Sequence, residues 1–588
     1  MAAPQRLQHP TPPQERTELA PRTSHGPEGL AMKSFEQLDN PVIDPRAGSP
    51  PASGELDSHG EHTDSHSKDQ KITAANSSES TQDQTYQGST TSANEKLDTI
   101  YVEFEPNDRR NPITYSRKKK WAITLAATYF TMLAAAAAGS YNMGFPTMIP
   151  ELQCTRLQAT AGLSLYALGF GIVPLLTSSF SEEFGRQPLY VCSITGFMLM
   201  QISIAVSKNI QTVLVLRVLL GGFGSTGSTM VGGTIADIWM PHERALPMAL
   251  FGVSAIAGTG LGPFVGGWIV MNSRLDWRWI QWISAITSFV ALLLIVIFMR
   301  ETRSTVLLRK LAKKIRKETG DKRYRARIED EGVDLKRLIW IASTRPALLL
   351  VTEPTVAAFS AWIGFAWGLV YLLLQSVSPV FGNLHNFNSG ALGNVFLTMV
   401  LGALIGFASN FYQNHLYLEH FKTRGIEGRL YSCIIAGVIL PISLLMYGLS
   451  CISTVHWIVP VIALTLFMSG ATVMYIASFI YLADCYGPYA SSAVAGSSLI
   501  RNLGGVTFPL IVSPMYDGLT YRWANVLLAG VALLLMPVPF VLFYFGRRMR
   551  ARSKFASSVI QMQEKAAQAQ EEAAAEKRSE AQGNGAPV

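Results

Sequence analysis

Apolar runs that are long enough to cross a bilayer as helices, about 20 residues each, recur along this chain from Trp121 to Phe545. Composition agrees, because 48% of the 588 residues are hydrophobic and only 15% are charged. Such a chain is too apolar for a soluble enzyme of this length. The runs therefore predict an all-α polytopic membrane protein.

The apolar runs form two groups of six, separated by a polar segment at 300–346. Six crossings restore the direction of the chain, so the two groups run parallel and both termini lie on one side. Basic residues concentrate in the loops of that side, which predicts that it is cytoplasmic. The first group lies near 122–144, 158–179, 189–206, 210–236, 247–271 and 279–299, and the second near 347–375, 390–412, 430–450, 456–483, 490–514 and 523–545.

The predicted organisation has five parts. Residues 1–115 are rich in Pro, Ser, Gly, His and Asp, which is typical of a disordered tail. The two six-helix halves cover 116–299 and 347–545. Between them, 300–346 is a basic cytoplasmic loop with 15 Lys and Arg against seven acids, in a pattern that also fits an amphipathic surface helix. Residues 546–588 form a second cytoplasmic tail.

The net charge of +8 is compatible with nucleic-acid binding, and the central loop is compatible with calmodulin binding. The basic residues, however, lie in loops between apolar runs, where membrane topology places them. We therefore expect no nucleic-acid partner.

The chain carries no signature of catalysis. Its five cysteines show neither zinc nor redox spacing, so we expect no metal site and no disulfide framework. It has no P-loop, HExxH or GxSxG pattern. We therefore expect no enzymatic activity and no cofactor, with energy supplied by an ion gradient.

Two landmarks repeat between the halves. Gly185-Arg186 follows the second predicted helix, and Gly428-Arg429 follows the eighth, at an offset of 243 residues. Ala236-Asp237 and Ala483-Asp484 close the fourth and tenth helices, at an offset of 247. The near-equal offsets indicate duplicated halves.

Three glycines line one side of the fifth predicted helix. Gly258, Gly262 and Gly266 recur four residues apart and form a smooth face, with Pro263 and Gly267 beside it. A smooth face lets a neighbouring helix approach closely, and Pro263 lacks the N–H that a straight helix needs. The pattern predicts a kinked helix at a moving contact.

These residues resemble motifs of the major facilitator superfamily, specifically the twelve-spanner drug:proton antiporter-1 family of fungi, over roughly residues 110–555. The segment Gly258 to Gly267 is similar to the fifth-helix antiporter motif. The resemblance implies the major facilitator fold: twelve transmembrane helices in two pseudo-symmetric six-helix halves that rock around a mid-membrane site.

A second match is Ser181 to Pro188, which resembles the short cytoplasmic loop signature of the superfamily. The resemblance implies a charge cluster that locks the outward-facing state. Gln187 stands where many relatives have a second basic residue, which implies a lighter lock. The implied gating cluster is Glu182, Gly185, Arg186 and Asp237.

Proton coupling has four candidates. Arg217-x-x-x-Gly221 on helix four resembles the motif linked to coupling, although backbone carbonyls alone can also satisfy a buried arginine. Glu353 on helix seven is the first candidate carrier, since a partly dry carboxylate has a pKa raised toward neutrality; the alternative is a fixed ion pair at the inner rim. Arg501 at mid-depth on helix eleven and Asp484 are the others, and helix one has no acid.

The resemblance implies a central cavity lined by helices one, four, seven and ten. Apolar walls with a few aromatic and polar groups suit amphipathic organic molecules, whereas a polyamine would require several carboxylates. The candidate cavity residues, each of which alternatively packs in the core or faces lipid, are Tyr129, Tyr141, Asn142, Trp362, Trp367, Tyr371, Gln375, Tyr475 and Tyr481.

We therefore expect a monomeric, proton-coupled exporter of small organic compounds such as drugs, toxins or secondary metabolites. The expected location is the plasma membrane with both termini cytoplasmic, and the vacuolar membrane is the alternative. Polyamine export, export of one metabolite from a biosynthetic cluster, facilitated uptake and a non-transporting membrane receptor remain alternative functions.

Overall fold

The computed structural model describes residues 99–105, 108–240, 243–330, 335–553 and 555–562. Most of the two predicted tails therefore lies outside the described residues. Within these ranges, the side chains at 176, 178, 179, 182, 228, 245, 330, 335–338, 422 and 488 are also outside the description.

Eleven segments of the described chain are helical, long and apolar enough to cross a membrane, and the last contains two crossings. Its helix Ala490–Leu535 is broken at Thr520, where φ is 64°, a conformation that β-branched residues rarely adopt. The predicted twelve-helix fold is thereby confirmed.

We number the membrane helices α1 to α12 in chain order. The side that carries the start of α1 and the end of α12 is called the terminal side, and the other the far side. Their bounds are α1 Arg117–Ser140, α2 Arg156–Glu183, α3 Arg186–Ala205, α4 Ile210–Ile238, α5 Ala245–Met271, α6 Trp277–Phe298, α7 Pro354–His385, α8 Leu397–Arg424, α9 Tyr431–Ser450 and α10 Ile458–Tyr486, with α11 and α12 before and after Thr520 and α12 continuing through Pro537–Arg552.

Polar caps set several helix starts on the far side. The Thr155 hydroxyl accepts from the Gln158 N–H at 3.2 Å, while the Gln158 side chain accepts from the Thr155 N–H at 2.9 Å. This reciprocal pair satisfies backbone donors that α2 cannot pair itself. Asn209 and Asp276 cap α4 and α6.

The two halves meet mainly along two helix pairs, and α5 also packs on Ser389–Val395 of the second half. Within the halves, α1 packs on α5, α2 on α4 and α7 on α11, whereas α2–α11 and α5–α8 join one half to the other. Gly171 of α2 lies against Asn502, and Gly505 of α11 lies against Ala167 and Tyr371. The halves therefore approach closely at mid-depth.

The seventh membrane helix begins later than predicted. The sequence predicted a span at 347–375, whereas α7 covers Pro354–His385 and Leu335–Thr352 is a separate helix. Glu353 between them is extended, with φ −109° and ψ 101°, because a residue before proline is driven out of the helical region. The predicted boundary at 346 thus falls inside a helix.

Other predicted ends also shift. α8 and α12 continue past 412 and 545 to Arg424 and Arg552, because their last turns are polar and lie beyond the apolar runs used for prediction. A short helix, Ser389–Val395, precedes α8.

The central connection is folded. Ser304–Thr319 is a helix with an apolar face, and the strand Tyr324–Arg325 pairs in parallel with Ile100–Tyr101. Val102, Ala312 and Ala326 form a small core there. Disorder was predicted throughout 1–115 and is wrong for this strand, because Val102 covers part of the helix's apolar face.

An ion pair ties the end of this connection to its helix. Arg316 Nη1 lies 2.6 Å from Glu329 Oε2. The hydrogen bond from Arg316 lowers the pKa of the Glu329 carboxyl below its ordinary value. The pair is therefore charged at neutral pH.

Gly262→Ala should destabilise the protein, whereas Gly252→Ala on the same helix should not. A Cβ at Gly262 would lie 2.1 Å from the Ala136 carbonyl of α1, but one at Gly252 would lie 3.6 Å from the Ile476 side chain. Overpacking against backbone costs about 1–3 kcal/mol. Denaturant unfolding in detergent micelles measures the difference, and equal stability of the two variants would refute the close α1–α5 contact.

Candidate functional site

One carboxylate on the terminal side binds two arginines. Arg186 Nε lies 2.5 Å from Asp237 Oδ2, and Arg303 Nη1 lies 3.6 Å from Asp237 Oδ1. Both side chains of the closer pair are about nine-tenths buried, with 9% and 12% exposed. We call Arg186, Asp237 and Arg303 the first ion-pair cluster. It joins the start of α3, the end of α4 and the chain after α6.

Glu301 binds the backbone of two residues in this cluster. Its carboxylate accepts from the backbone N–H groups of Arg186 at 3.0 Å and Arg303 at 2.9 Å, and these charge-assisted bonds hold the start of α3. A Cβ added at Gly185 would lie only 2.2 Å from Glu301 Oε2, and the backbone of Gly185 has a φ of 94°. Only glycine therefore suits position 185.

Sequence analysis missed Glu301 and Arg303. The available signal was their position, directly after the sixth apolar run and on the same side as Arg186. The side chain of the predicted Glu182 is outside the description, so its role stays a prediction. Its neighbour Glu183 binds Arg309 of the central connection at 2.7 Å.

The second half repeats the same ion pair. Arg429 Nε lies 3.2 Å from Asp484 Oδ2, and its guanidinium lies 3.5 Å from the centre of the Tyr417 ring. Beside it, Glu427 binds Arg550 of α12 in a buried pair. We call these four charged residues, without Tyr417, the second ion-pair cluster. The sequence repeat is therefore a repeat of one Arg–Asp contact.

Glu353 lies at the terminal end of α7 and is 1% exposed. Its carboxylate accepts from the Tyr486 hydroxyl at 3.1 Å, from the Ser553 hydroxyl, and from the Phe555 N–H at 3.3 Å. No salt bridge to it is found among the described residues. The alternative for Glu353 was a fixed ion pair with a cation. In the structure, its described partners are neutral hydrogen-bond donors instead.

Arg217 is completely buried in the first half. It donates to the carbonyls of Gly162 and Ala137, each at 3.1 Å. The rings of Tyr141 and Tyr166 lie 4.1 Å and 4.6 Å from its guanidinium. These contacts match the alternative in which backbone carbonyls satisfy the arginine, and a coupling role stays a prediction.

Trp367, Tyr371 and Gln375 form a buried stripe along α7. The guanidinium of Arg501 lies 4.6 Å from the Trp367 ring, which stacks on Tyr475 at 5.2 Å. Tyr371 interacts electrostatically with the arginines of both halves, Arg217 and Arg501. The structure thus brings these predicted residues of α4, α7, α10 and α11 together.

Other candidates lie elsewhere. Trp362 and Tyr481 both contact Phe359, at 5.7 Å and 5.8 Å between ring centres. They belong to this group and not to the stripe of Trp367, Tyr371 and Gln375. Tyr129 is partly buried against the core. Asn142 donates to the Leu374 carbonyl and so joins the far end of α1 to α7.

The fifth-helix glycines contact two partners. Gly258, Gly262 and Gly266 face α1, in their own half, and Pro263 lies against Gly139 of α1. Gly267 faces the second half, where a Cβ would lie 2.5 Å from the Ser389 carbonyl. One side of the motif therefore packs on α1, and its other side contacts the second half, at Gly260 as well as at Gly267.

Twelve helices in two repeated halves, with ion-pair clusters on one face and a buried polar centre, define a membrane transporter. The chain belongs to the Major Facilitator Superfamily, whose family model matches residues 127–465. This is a family of transporters of small molecules, not of enzymes. The protein is therefore a multi-pass transporter embedded in the bilayer.

Named relatives agree with this class. The chain is 35% identical over 490 residues to "MFS-type efflux pump MFS2" of Trichophyton rubrum, covering 82% of this chain and 81% of that one. It is 30% identical to the "Ascochitine biosynthesis cluster MFS transporter" of Didymella fabae, covering 78% and 90%. The xylose transporter XylE from E. coli shares the fold, with a TM-score of 0.51 at 15% identity, covering 71% of this chain and 97% of that one.

The two Arg–Asp pairs should differ in strength. Arg186 and Asp237 are 9% and 12% exposed, whereas Arg429 and Asp484 are 22% and 27% exposed. A less solvated pair interacts more strongly, and exposed pairs contribute about 0–1 kcal/mol. Double-mutant cycles with Arg→Gln and Asp→Asn, followed by unfolding in detergent, should give a coupling energy above ~1 kcal/mol for the first pair and less for the second. Equal or reversed couplings would contradict this assignment.

Proposed function

We propose that this protein is a proton-coupled exporter of small organic compounds that works by alternating access. The observation that carries the proposal is the Arg–Asp pair repeated on the terminal side of both halves, within a family of transporters. The name of the Trichophyton rubrum relative, an efflux pump, supports the direction of transport.

Alternating access requires contacts between the halves that break and reform. On the far side, Asn142 bonds to the Leu374 carbonyl. Trp268 Nε1 also donates to Asn394 at 3.0 Å, and Gly267 packs on Ser389. The last two contacts belong to a continuous packing of α5 on Ser389–Val395 and α8, which would have to separate as a unit. Their opening would release a substrate on the far side.

Protons have acceptors on the terminal side. Protonation of Asp237 would remove the charge that holds Arg186 and Arg303, and protonation of Asp484 would do the same for Arg429. Losing one partner of a buried ion pair weakens the contact strongly. We propose that this weakening couples proton binding to rearrangement on the terminal side, with Glu353 as a further carrier.

Transport by the purified full chain in proteoliposomes should depend on a proton gradient. Fluorescent organic compounds of differing charge are loaded, and their flux is followed with an imposed pH difference and again after a protonophore. We expect the gradient to accelerate flux of at least one compound several-fold, with the protonophore removing the effect. Flux that ignores the gradient would refute proton coupling.

Glu353→Gln and Arg217→Gln should abolish gradient-driven flux while leaving the amount of protein in the membrane unchanged. Glu353→Gln removes a charge at nearly constant side-chain size, whereas Arg217→Gln removes a charge and also shortens the side chain. Glu419→Gln is the matched control, because Glu419 is exposed near the end of α8. A receptor or scaffold would be indifferent to all three changes, and facilitated uptake would persist without a gradient.

A second candidate is a dedicated exporter of one metabolite, which the name of the Didymella fabae relative favours. Adjacent biosynthetic genes, together with retention of their product in a deletion strain, would support it. Polyamine export is less favoured, because no acid lies in the interior of the described membrane helices. Spermidine flux in the same vesicles tests it.

We further propose a monomer in the plasma membrane with both termini cytoplasmic and no cofactor. A fluorescent tag after Val588 would locate the protein at the cell rim or at the vacuole. Protease protection of that tag in intact cells would identify the side on which the terminus lies.

A further inference from the structure

The membrane core of the described chain contains cations but no acids. Every described Asp or Glu of α1 to α12 lies within two turns of a helix end. Arg217 and Arg501 instead lie in the interiors of α4 and α11, and they are 0% and 6% exposed. Since Tyr371 interacts with both, the bundle centre is a positively charged site.

Neither arginine has all its donors paired. One terminal nitrogen of Arg217, Nη2, and the Arg501 Nε have no hydrogen-bond partner, and the same is true of the Trp367 indole N–H and the Gln375 amide nitrogen. An unpaired donor on a buried cation is costly. Among the described residues no acceptor pairs with these donors, so an acidic ligand group can supply one.

A crevice leads to Arg501. In this conformation it is too narrow for a water-sized sphere, and it is lined by Arg501, the hydroxyl-bearing Ser478, Ser497 and Ser498, and apolar side chains of α7, α10 and α11. One serine, Ser498, already accepts from Arg501 at 2.9 Å. Hydroxyls and a guanidinium around apolar walls suit an acidic group attached to an apolar body.

Aromatic rings cover the other side of the arginine. Trp367 and Tyr475 are stacked, with their ring centres 4.6 Å and 5.5 Å from the Arg501 guanidinium. Their faces stabilise the cation. They also provide flat surface on which an aromatic ligand can stack.

We propose that the central site recognises its substrate as an aromatic organic anion, with Arg501 pairing the acid group and Trp367 and Tyr475 holding the ring. This rests on the proposed function in taking the bundle centre as the substrate site. A cationic substrate would meet two positive charges and no acid. A neutral one would leave the unpaired donors without a charged acceptor.

Calorimetric binding to the full chain in lipid nanodiscs tests the proposal, with empty nanodiscs correcting for partition into lipid. The probes are 1-naphthoate, the neutral 1-naphthamide and the cationic 1-naphthylmethylamine, which share one ring system. At pH 7 we expect 1-naphthoate to bind at least tenfold more tightly than either of the others, as expected for a charge-assisted hydrogen bond to a buried cation.

Substitutions of Arg501 test whether this residue binds the acid group of the ligand. Arg501→Gln should weaken naphthoate binding tenfold or more and leave naphthamide within twofold, and Arg501→Lys, which keeps the charge and loses the planar fork, should give an intermediate loss. The matched control is Arg522→Gln, because Arg522 also has an unpaired Nε and lies over an indole ring, but near the Thr520 break on the far side. It should bind all three probes as the wild type does.

Preference for the amine or the amide, equal affinity for all three, or no binding of naphthoate at millimolar concentration would overturn the proposal. Unchanged naphthoate affinity in Arg501→Lys and Arg501→Gln would do so as well. If Arg501→Gln does not fold, the order of the three probes on the wild type and the Arg501→Lys result still decide. Binding as expected without gradient-driven flux would refute the proposed function and leave the anion site standing.

Discussion

Hydrocarbon offers no hydrogen-bond partner and no counter-ion to a charged side chain, and this constraint organises the protein. Acids in the described helices are confined to helix ends, where Glu183, Asp237 and Asp484 bind basic residues. The two interior arginines are enclosed by carbonyls, tyrosines and a tryptophan. Charge position thus separates the terminal face, to which we assign proton binding, from the centre, to which we assign the ligand.

The terminal face gains its structure from duplication. Arg186–Asp237 and Arg429–Asp484 join equivalent elements in the two halves, so one local interaction is used twice. The surroundings differ, because Glu301 and Arg303 support the first pair whereas Glu427 and Arg550 lie beside the second. The same Arg–Asp contact therefore joins equivalent elements of the two halves in unequal surroundings.

Much of the fold could be predicted from the sequence, because membrane crossings depend on local hydropathy. The repeat also predicted which arginine and aspartate would correspond between halves. The break at Thr520 lies between the predicted spans 490–514 and 523–545, so the sequence located this connection but not the one left-handed residue that forms it. The start of α7 was missed although Pro354 marked it, because hydropathy was continuous across the boundary.

The sequence predicted only part of the candidate site. Trp367, Tyr371, Tyr475 and Arg501 are together as a cavity would require, but Trp362 and Tyr481 belong to a separate group around Phe359. Helical spacing groups the residues of one helix, yet it does not show which helices meet. The partners of Glu353 are similarly distant in sequence: Ser553 lies in the segment predicted as a tail.

The central claim is that substrate and proton move through one cycle in opposite directions. Proteoliposomes that enclose a pH-sensitive dye, with a substrate gradient and no imposed pH difference, test it most directly. Substrate leaving the vesicles should drive protons inward at a fixed ratio, and Asp237→Asn should abolish the proton movement. Substrate flux without proton movement in the wild type would contradict it.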